Sequence, residues 1–287
     1  MIYDDFEALE RYLSSLRERR PIAPTRRGLE YPALADAALA GGLSSSSAQG
    51  EHPKFTALVE GERRMHVIVK FSPRRTSPVG QRWADLLVAE HVAHEHLAAN
   101  GIAASRSTLF DFGMRTFLEV ERFDRIGAEG RRGVVSLLAL DASRYGQLDR
   151  WSSSATRLQS DRLLSRGDVD RVRLLEAFSM LIANTDRHFG NLTLFDRYQG
   201  RFELAPAYDV LPMLFAPQSD QILERRFEPP DPTGETLSVW PRAQALAEAY
   251  WALSRAIRGS ARSFARCAPC AARRSLRRLG ERRRRQR

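Results

Sequence analysis

The sequence predicts an α+β fold of two lobes, a small β-rich N-terminal lobe followed by a mainly helical C-terminal lobe. Three observations predict it. Short β-branched and aromatic runs punctuated by turn residues occupy the stretch up to Phe123, with one long helical pattern among them. After Asp124 the apolar residues recur mostly at helical spacing. The charge is also segregated: Arg255–Arg287 holds 13 Arg and one acidic residue, which leaves 32 basic and 34 acidic residues in the body. A near-neutral body is a poor nucleic-acid surface in spite of the net charge of +10. Direct nucleic-acid contact is therefore expected at most through the Arg-rich tail.

The 287 residues are 43% hydrophobic and 28% charged, enough for one two-lobed domain with a substantial core. No run of 18 apolar residues occurs, so no transmembrane helix and no membrane partner is expected. The N-terminus lacks the apolar stretch of a secretory signal, which points to a cytoplasmic protein. Cys267 and Cys270 are too few for a disulfide framework, and their spacing lacks the strand–helix setting of a redox motif.

In chain order, Asp4–Arg20 reads as an amphipathic helix stopped by Pro21 and Pro24. Ala33–Ala40 reads as a short helix, and Gly41–Gly50 as a loop of small polar residues. Lys54–Glu60 and Met65–Phe71 are strands joined by a turn at Gly61. A helix spans Trp83–Asn100 with Gly101 as its stop. Strands follow at Ser107–Phe112 and Thr116–Phe123. Beyond them, Val134–Leu140, Asp161–Leu164 and Val169–Ala183 have helical patterns. Leu192–Phe195 and Phe202–Leu204 form a hairpin about Asp196–Gly200, and a last helix runs from Pro241 to about Ile257. The division is an N-terminal lobe at 1–122, a C-terminal lobe at 123–257 and a tail at 258–287.

The chemistry concentrates in Asn184-Thr185-Asp186-Arg187-His188-Phe189-Gly190-Asn191. Asp186 and Asn191 stand at the Asp-x₄-Asn spacing of a kinase catalytic loop, where the Asp takes the proton of the attacking hydroxyl and the Asn oxygen ligates Mg²⁺. Asp209 follows eighteen residues later, and the intervening hairpin folds it back toward Asn191. Asn191 and Asp209 then form a hard-oxygen site for Mg²⁺, with Asp186 beside it. His188 is grouped with the cofactor-binding residues and not with the bases, because Asp186 fills that role.

Only two of the 45 basic residues are lysines, Lys54 and Lys70. In so lysine-poor a chain, a surviving lysine marks a place where a compact ammonium is needed. Lys70 ends an apolar strand and is placed to hold nucleotide phosphates, and Glu90 is placed to orient it through an ion pair. The amides of the Gly41–Gly50 loop, Gly50 included, are available to cover phosphates. Glu121-Arg122-Phe123 lies at the lobe junction, where backbone groups would meet adenine.

Three patterns are set aside. Asp111-Phe112-Gly113 spells a kinase metal motif but precedes the catalytic loop, so it reads as a hairpin turn. His91, His94 and His96 do not share a metal-binding spacing and read as surface histidines. The Cys pair is the third.

The strings SSSSAQGEHPKFTAL, HVIVKF, FLEVERFDR, NTDRHFGN and LAPAYDVLP resemble those of HipA-family kinases, the toxin components of bacterial toxin–antitoxin pairs. The resemblance runs in order from Gly41 to Pro212, about 60% of the chain. It implies a two-lobed protein-kinase-like fold and ATP with Mg²⁺ as cofactors. It also implies Asp186 as catalytic base, Asn191 and Asp209 as metal ligands, Lys70 as phosphate lysine and Glu121 and Phe123 as adenine hinge. A protein Ser/Thr substrate follows from it, such as an aminoacyl-tRNA synthetase, and a small helix-turn-helix antitoxin as partner. Autophosphorylation of the Gly/Ser loop follows as well, with Ser44, Ser45, Ser46 and Ser47 as candidates. Two departures stand out: only some 40 residues precede the Gly/Ser loop, where longer members carry an additional N-terminal subdomain, so a short form is expected, and the Arg-rich end resembles an out-of-frame reading. The alternative is a catalytically impaired ATP-binding pseudokinase or regulatory module.

Overall fold

The structure is a computed structural model, and it describes residues 20–40, 52–197 and 200–256. The expected helix at Asp4–Arg20, the Gly41–Gly50 loop, the Cys pair and the Arg-rich tail lie outside the described residues.

The N-terminal lobe opens with a 3₁₀ turn, Pro24–Arg26, that runs into α1, Arg27–Leu39. Strands β1 (Lys54–Val59) and β2 (Met65–Phe71) form a hairpin, and α2 (Pro78–Ala99) leads to a second hairpin, β3 (Ser107–Phe112) and β4 (Arg115–Glu121). Together they make one antiparallel sheet in the order β1-β2-β4-β3. Gly113 and Met114 close the second hairpin with φ of 54° and 64°. Two successive left-handed residues match the twist of the strands they join. Asp111-Phe112-Gly113 is therefore the hairpin turn that its position suggested.

Strand alternation sorts the side chains of this sheet. Phe55, Ala57, Val59, Val67, Val69, Phe71 and Phe117 pack with Tyr31, Ala35 and Ala38 of α1 in one apolar cluster. The alternate residues, Ile68, Lys70, Leu118 and Val120, face the other side of the sheet. There Leu118 and Val120 meet Leu87 of α2. Beneath α1, Arg27 Nε donates to Glu119 Oε2 at 2.9 Å, and the Tyr31 hydroxyl donates to the same carboxylate, so this buried acidic side chain is satisfied.

The C-terminal lobe contains two short hairpin strands, β5 (Arg125–Ile126) and β6 (Gly130–Arg131), and then β7 (Val134–Ser136). Its helices are α3 (Leu137–Arg144), α4 (Trp151–Ser160), α5 (Arg166–Leu181) and α6 (Trp240–Ala256). Strands β8 (Thr193–Arg197) and β9 (Arg201–Leu204) join β7 in a three-stranded sheet. A single large core surrounds α5, and Leu86, Val92, Ala93 and Leu97 of α2 belong to it. Helix α2 thus presents Leu87 to the sheet and Leu86 to the helical core. His96 Nε2 lies 2.9 Å from the Leu246 carbonyl oxygen, and the Tyr250 hydroxyl donates to the Ala89 carbonyl at 3.2 Å, which fastens α2 to α6. Among the described residues no helix is long and apolar enough to cross a membrane.

Several elements differ from the sequence reading. Val134–Leu140 is not one helix: Val134 and Val135 pair with Phe195 and Leu194, and Ser136 accepts the Ala139 amide at 3.1 Å to cap α3. Asp161–Leu164 forms a turn, with Arg162 at φ 62°, and the helix there is α4. Helix α1 begins at Arg27 and continues through Pro32, against the usual meaning of an internal proline. Helix α2 begins five residues before Trp83, because Ser77 accepts the Gly80 amide at 3.1 Å and Pro78 occupies the first turn, where its missing N–H costs nothing.

Gly80 is the tightest point of this start. A Cβ on it would collide with the Arg74 carbonyl oxygen, a backbone atom held in place by its own chain. Gly80→Ala is expected to destabilise the protein by about 1–3 kcal/mol through overpacking, more than the roughly 1 kcal/mol expected for loss of the Ser77 cap. Urea unfolding of Gly80→Ala and Ser77→Ala checks the order, and equal midpoints would show that the loop simply yields.

Candidate functional site

Strand parity explains why Lys70 can serve a cleft. It lies between Val69 and Phe71, both buried against α1, and so must emerge on the opposite face toward α2. There its ammonium donates to Glu90 Oε1 at 2.7 Å and Oε2 at 2.8 Å, and also to Asp209 Oδ1. Glu90 is fully buried in α2. Burial opposes the charge on Lys70, but Asp209 and then Glu90 more than offset it and raise its pKa above the ordinary lysine value. Burial pushes Glu90 up to about 7 against the pull of Lys70. Asp209 goes the other way: burial would raise it, but Lys70 holds its carboxyl below the usual range.

The catalytic-loop candidate is shaped by backbone breaks at its root and rim. Helix α5 ends at Leu181, and Ala183 turns the chain with φ of 62°. Buried Asn184 then ties two segments together: its Oδ1 accepts the Asp186 amide at 3.0 Å, and its Nδ2 donates to the Asp209 carbonyl at 3.4 Å. Asn191 Nδ2 donates to the Asp186 carbonyl at 2.8 Å and lies 3.3 Å from Asp186 Oδ2. With its amide nitrogen spent on the loop, Asn191 has its side-chain oxygen left as the acceptor that a ligand could use. His188 Nδ1 accepts the Gly190 amide at 3.1 Å, while its Nε2 stands 3.9 Å from Asp186 Oδ1. The β8–β9 hairpin returns the chain so that the Ala205 amide reaches the Thr193 carbonyl at 3.0 Å. Tyr208 then bonds Thr193 Oγ1 and the Gly190 carbonyl, each at 2.7 Å. Asp209 follows with φ of 54°, a left-handed conformation that Asp tolerates better than most residues.

Lys70, Glu90, Glu121, Phe123, Asp186, His188, Asn191 and Asp209 all line one cleft of about 600 Å³ between the lobes. Gly50 and Ser44, Ser45, Ser46 and Ser47 lie outside the described residues. Glu121 directs its side chain to Arg63, and the Phe123 ring packs at 5.7 Å from both Phe195 and Tyr208, so both shape the rim where β4 leaves the sheet. Lys54 is the register partner of Lys70 and lines the same cleft, so both lysines of the chain face it. Sequence reasoning missed Asn184, Tyr208 and His52. Their signals were a buried amide after a helix end, and aromatic residues beside the motifs. The histidines of α2 are a correction: His94 and His96 are buried, and His91 and His94 converge on Ser107 Oγ at 2.9 and 3.2 Å. The helix buries two faces, so a histidine facing neither solvent nor a metal has a place in it.

The HipA-like C-terminal domain family matches residues 46–268. Toxin YjjJ of Escherichia coli (strain K12) is 39% identical over 228 residues, covering 77% of this chain and 50% of the toxin, so the chain spans about half the length of that relative. Among solved structures, a chain of the Shewanella oneidensis MR-1 toxin–antitoxin complex of HipA, HipB and operator DNA aligns with a TM-score of 0.50 and 17% identity, over 77% of this chain and 58% of its own. The proinflammatory kinase CtkA of Helicobacter pylori aligns with a TM-score of 0.46 and 14% identity, over 58% and 56%. The Shewanella likeness bears on the fold, which is kinase-like and α+β.

Buried imidazoles set the acid sensitivity of this cleft. Burial, and after it the charge of Lys70, push His52 and His94 down to about 3. Their unfolded forms take up protons below 6.5, so the stability they contribute is present above 6.5 and lost as pH falls toward 3. Glu90, raised from 4.5 to about 7, acts in the opposite sense between those values. Two groups outweigh one, so the melting temperature is expected to fall as pH drops from 6.5, most steeply below 4.5. His52→Gln should flatten that slope in calorimetric scans, and an unchanged slope would remove His52 from the account.

Proposed function

The chain belongs to the HipA-like C-terminal domain family, and from that premise we propose that it is an ATP- and Mg²⁺-dependent protein serine/threonine kinase of the toxin type. The observation that carries the reading is the convergence of Lys70, Glu90, Asp186, Asn191 and Asp209 on one cleft. In this reading Lys70, held by Glu90, binds phosphate oxygens, and the Glu121–Phe123 segment meets adenine. Asp186 orients the acceptor hydroxyl and takes its proton. Asn191 and Asp209 offer one amide and one carboxylate oxygen, the hard donors that Mg²⁺ accepts while completing its shell with phosphate and water oxygens. Bound there, the metal supplies neutralisation of the charge on the transferring phosphoryl group. Phosphoryl transfer asks little covalent work of a protein, so positioning and charge carry the catalysis.

Three finer proposals accompany this one. The substrate is a protein hydroxyl, with a translation factor such as an aminoacyl-tRNA synthetase as the candidate class. One of Ser44–Ser47 is the autophosphorylation site, with Gly50 in the phosphate-covering loop. A small DNA-binding antitoxin is the partner, a proposal supported by the HipB and operator DNA in the Shewanella complex.

Asp186→Asn is expected to lower incorporation from [γ-³²P]ATP by about 10²–10⁴-fold, the range for loss of a positioned acid–base group. Asp209→Asn should lower it comparably. Wild-type incorporation retained by both variants would refute the assignment, and nucleotide binding without transfer by the wild type would mark a pseudokinase.

Lys70→Arg tests the lysine economy of the chain. A forked guanidinium cannot replace a compact ammonium shared by two carboxylates and a phosphate. Its kcat/KM for ATP should fall by at least about tenfold, and full activity would assign the lysine to chance.

A further inference from the structure

Next to Glu90 lies a buried polar chain that the proposed reaction does not use. His94 is one helical turn beyond Glu90 on α2, and its side chain is closed to solvent. Its Nε2 has no hydrogen-bond partner among the described residues and stands 3.8 Å from Glu90 Oε1. Its Nδ1 lies 3.2 Å from Ser107 Oγ, at the start of β3, and His91 Nδ1 lies 2.9 Å from the same oxygen.

Proton counting fixes the direction of this chain. A neutral imidazole carries one N–H, and a hydroxyl donates once. A bare Nε2 lone pair facing a buried carboxylate would be repelled by it and left without any donor. The proton therefore belongs on Nε2, which leaves Nδ1 to accept from the Ser107 hydroxyl. Ser107, having spent its proton, accepts from His91 Nδ1–H. The sequence of donors is His91 to Ser107 to His94, with the last N–H aimed at Glu90.

We infer that His94, oriented by Ser107, is a positioning residue that keeps the Glu90 carboxylate turned toward Lys70. At 3.8 Å the pair is beyond hydrogen-bond distance, and a movement of about 1 Å closes the gap. Glu90 spends both oxygens on Lys70, at 2.7 and 2.8 Å. A neutral donor beside the carboxylate limits its rotation without adding a second cation to compete with Lys70. The functional half of this inference rests on the kinase reading, whereas the hydrogen-bond direction does not.

Two measurements on the full chain test it. Long-range ¹H–¹⁵N spectra of the imidazoles should show His94 neutral and protonated on Nε2, with its Nε2 signal moved by Glu90→Gln. Calorimetric titration with Mg-ATP should show His94→Phe about tenfold weaker, consistent with loss of a donor to a charged group. His94→Gln, which restores an N–H at nearly the same place, should stay within about threefold of wild type, and Ser107→Ala should add no loss in the His94→Phe background. A His94 proton on Nδ1, or wild-type nucleotide affinity in His94→Phe, overturns the inference while leaving the kinase reading intact. A wild type that binds no Mg-ATP overturns the kinase reading, and the imidazole spectrum then decides the hydrogen-bond direction alone.

Discussion

One ammonium group organises this protein. Lys70 joins three segments distant in sequence: its own strand, helix α2 through Glu90, and the segment after β9 through Asp209. Burying such charges costs several kcal/mol per ion, and the mutual attraction recovers that cost only in good geometry. Such an arrangement is poor value as a source of stability, since apolar residues of the same volume would pack without penalty. Its retention makes sense as a constraint on placement. The lobes can meet only in the arrangement that leaves neither carboxylate without the lysine, because an unpaired buried charge costs more than the pair ever contributes.

The rest of the fold supplies that placement with ordinary means. Alternation along β2 sends Val69 and Phe71 into the cluster under α1 and leaves Lys70 on the cleft side. A shift of register by one residue would bury the lysine under Tyr31 and put Phe71 in the cleft. Helix α2 is packed on two sides, against Leu118 and Val120 of the sheet and within the core around α5. Glu90 is therefore fixed to both lobes at once. Asp209 is fixed by Asn184, whose amide reaches the Asp209 backbone from the root of the catalytic-loop candidate. Each charged partner is held by apolar packing or a backbone contact outside the ion cluster.

What was legible in the sequence follows from how local each determinant is. The sheet of the N-terminal lobe, the β8–β9 hairpin and α6 rest on alternation, turn residues and helical periodicity, all written within a few residues. That Asp186, Asn191 and Asp209 share one cleft was legible from spacing, Asp-x₄-Asn and then a hairpin-length return to Asp209. Boundaries depending on a single cap were harder. Ser77 and Ser136 each start a helix by accepting one amide, and Val134–Leu140 changes from strand to helix at that one hydroxyl. The buried histidines of α2 were misjudged because polarity argues for the surface, whereas here the second packed face of the helix and the Ser107 hydroxyl decide. Asn184 was legible only as part of a string, since its work is to reach a backbone oxygen twenty-five residues away.

The ion cluster also dictates what the cleft will accept. Lys54, Lys70 and Arg122 line the cleft against Glu90, Glu121, Asp124, Asp186 and Asp209, an excess of two negative charges. A polyphosphate alone would meet net repulsion there despite the lysines. In the proposed reading a divalent cation arriving with it would reverse the sign, with Asp209 holding that cation and Glu90 keeping the ammonium. The unequal burial of the two carboxylates fits this division: Glu90 is sealed within α2, whereas the Asp209 side chain remains 27% exposed. A buried partner is the permanent one, and a partner open to the cleft is the one able to change hands. Lys70 is thus held by a buried carboxylate on one side and a more open one on the other, which suits the phosphate-binding role proposed for it.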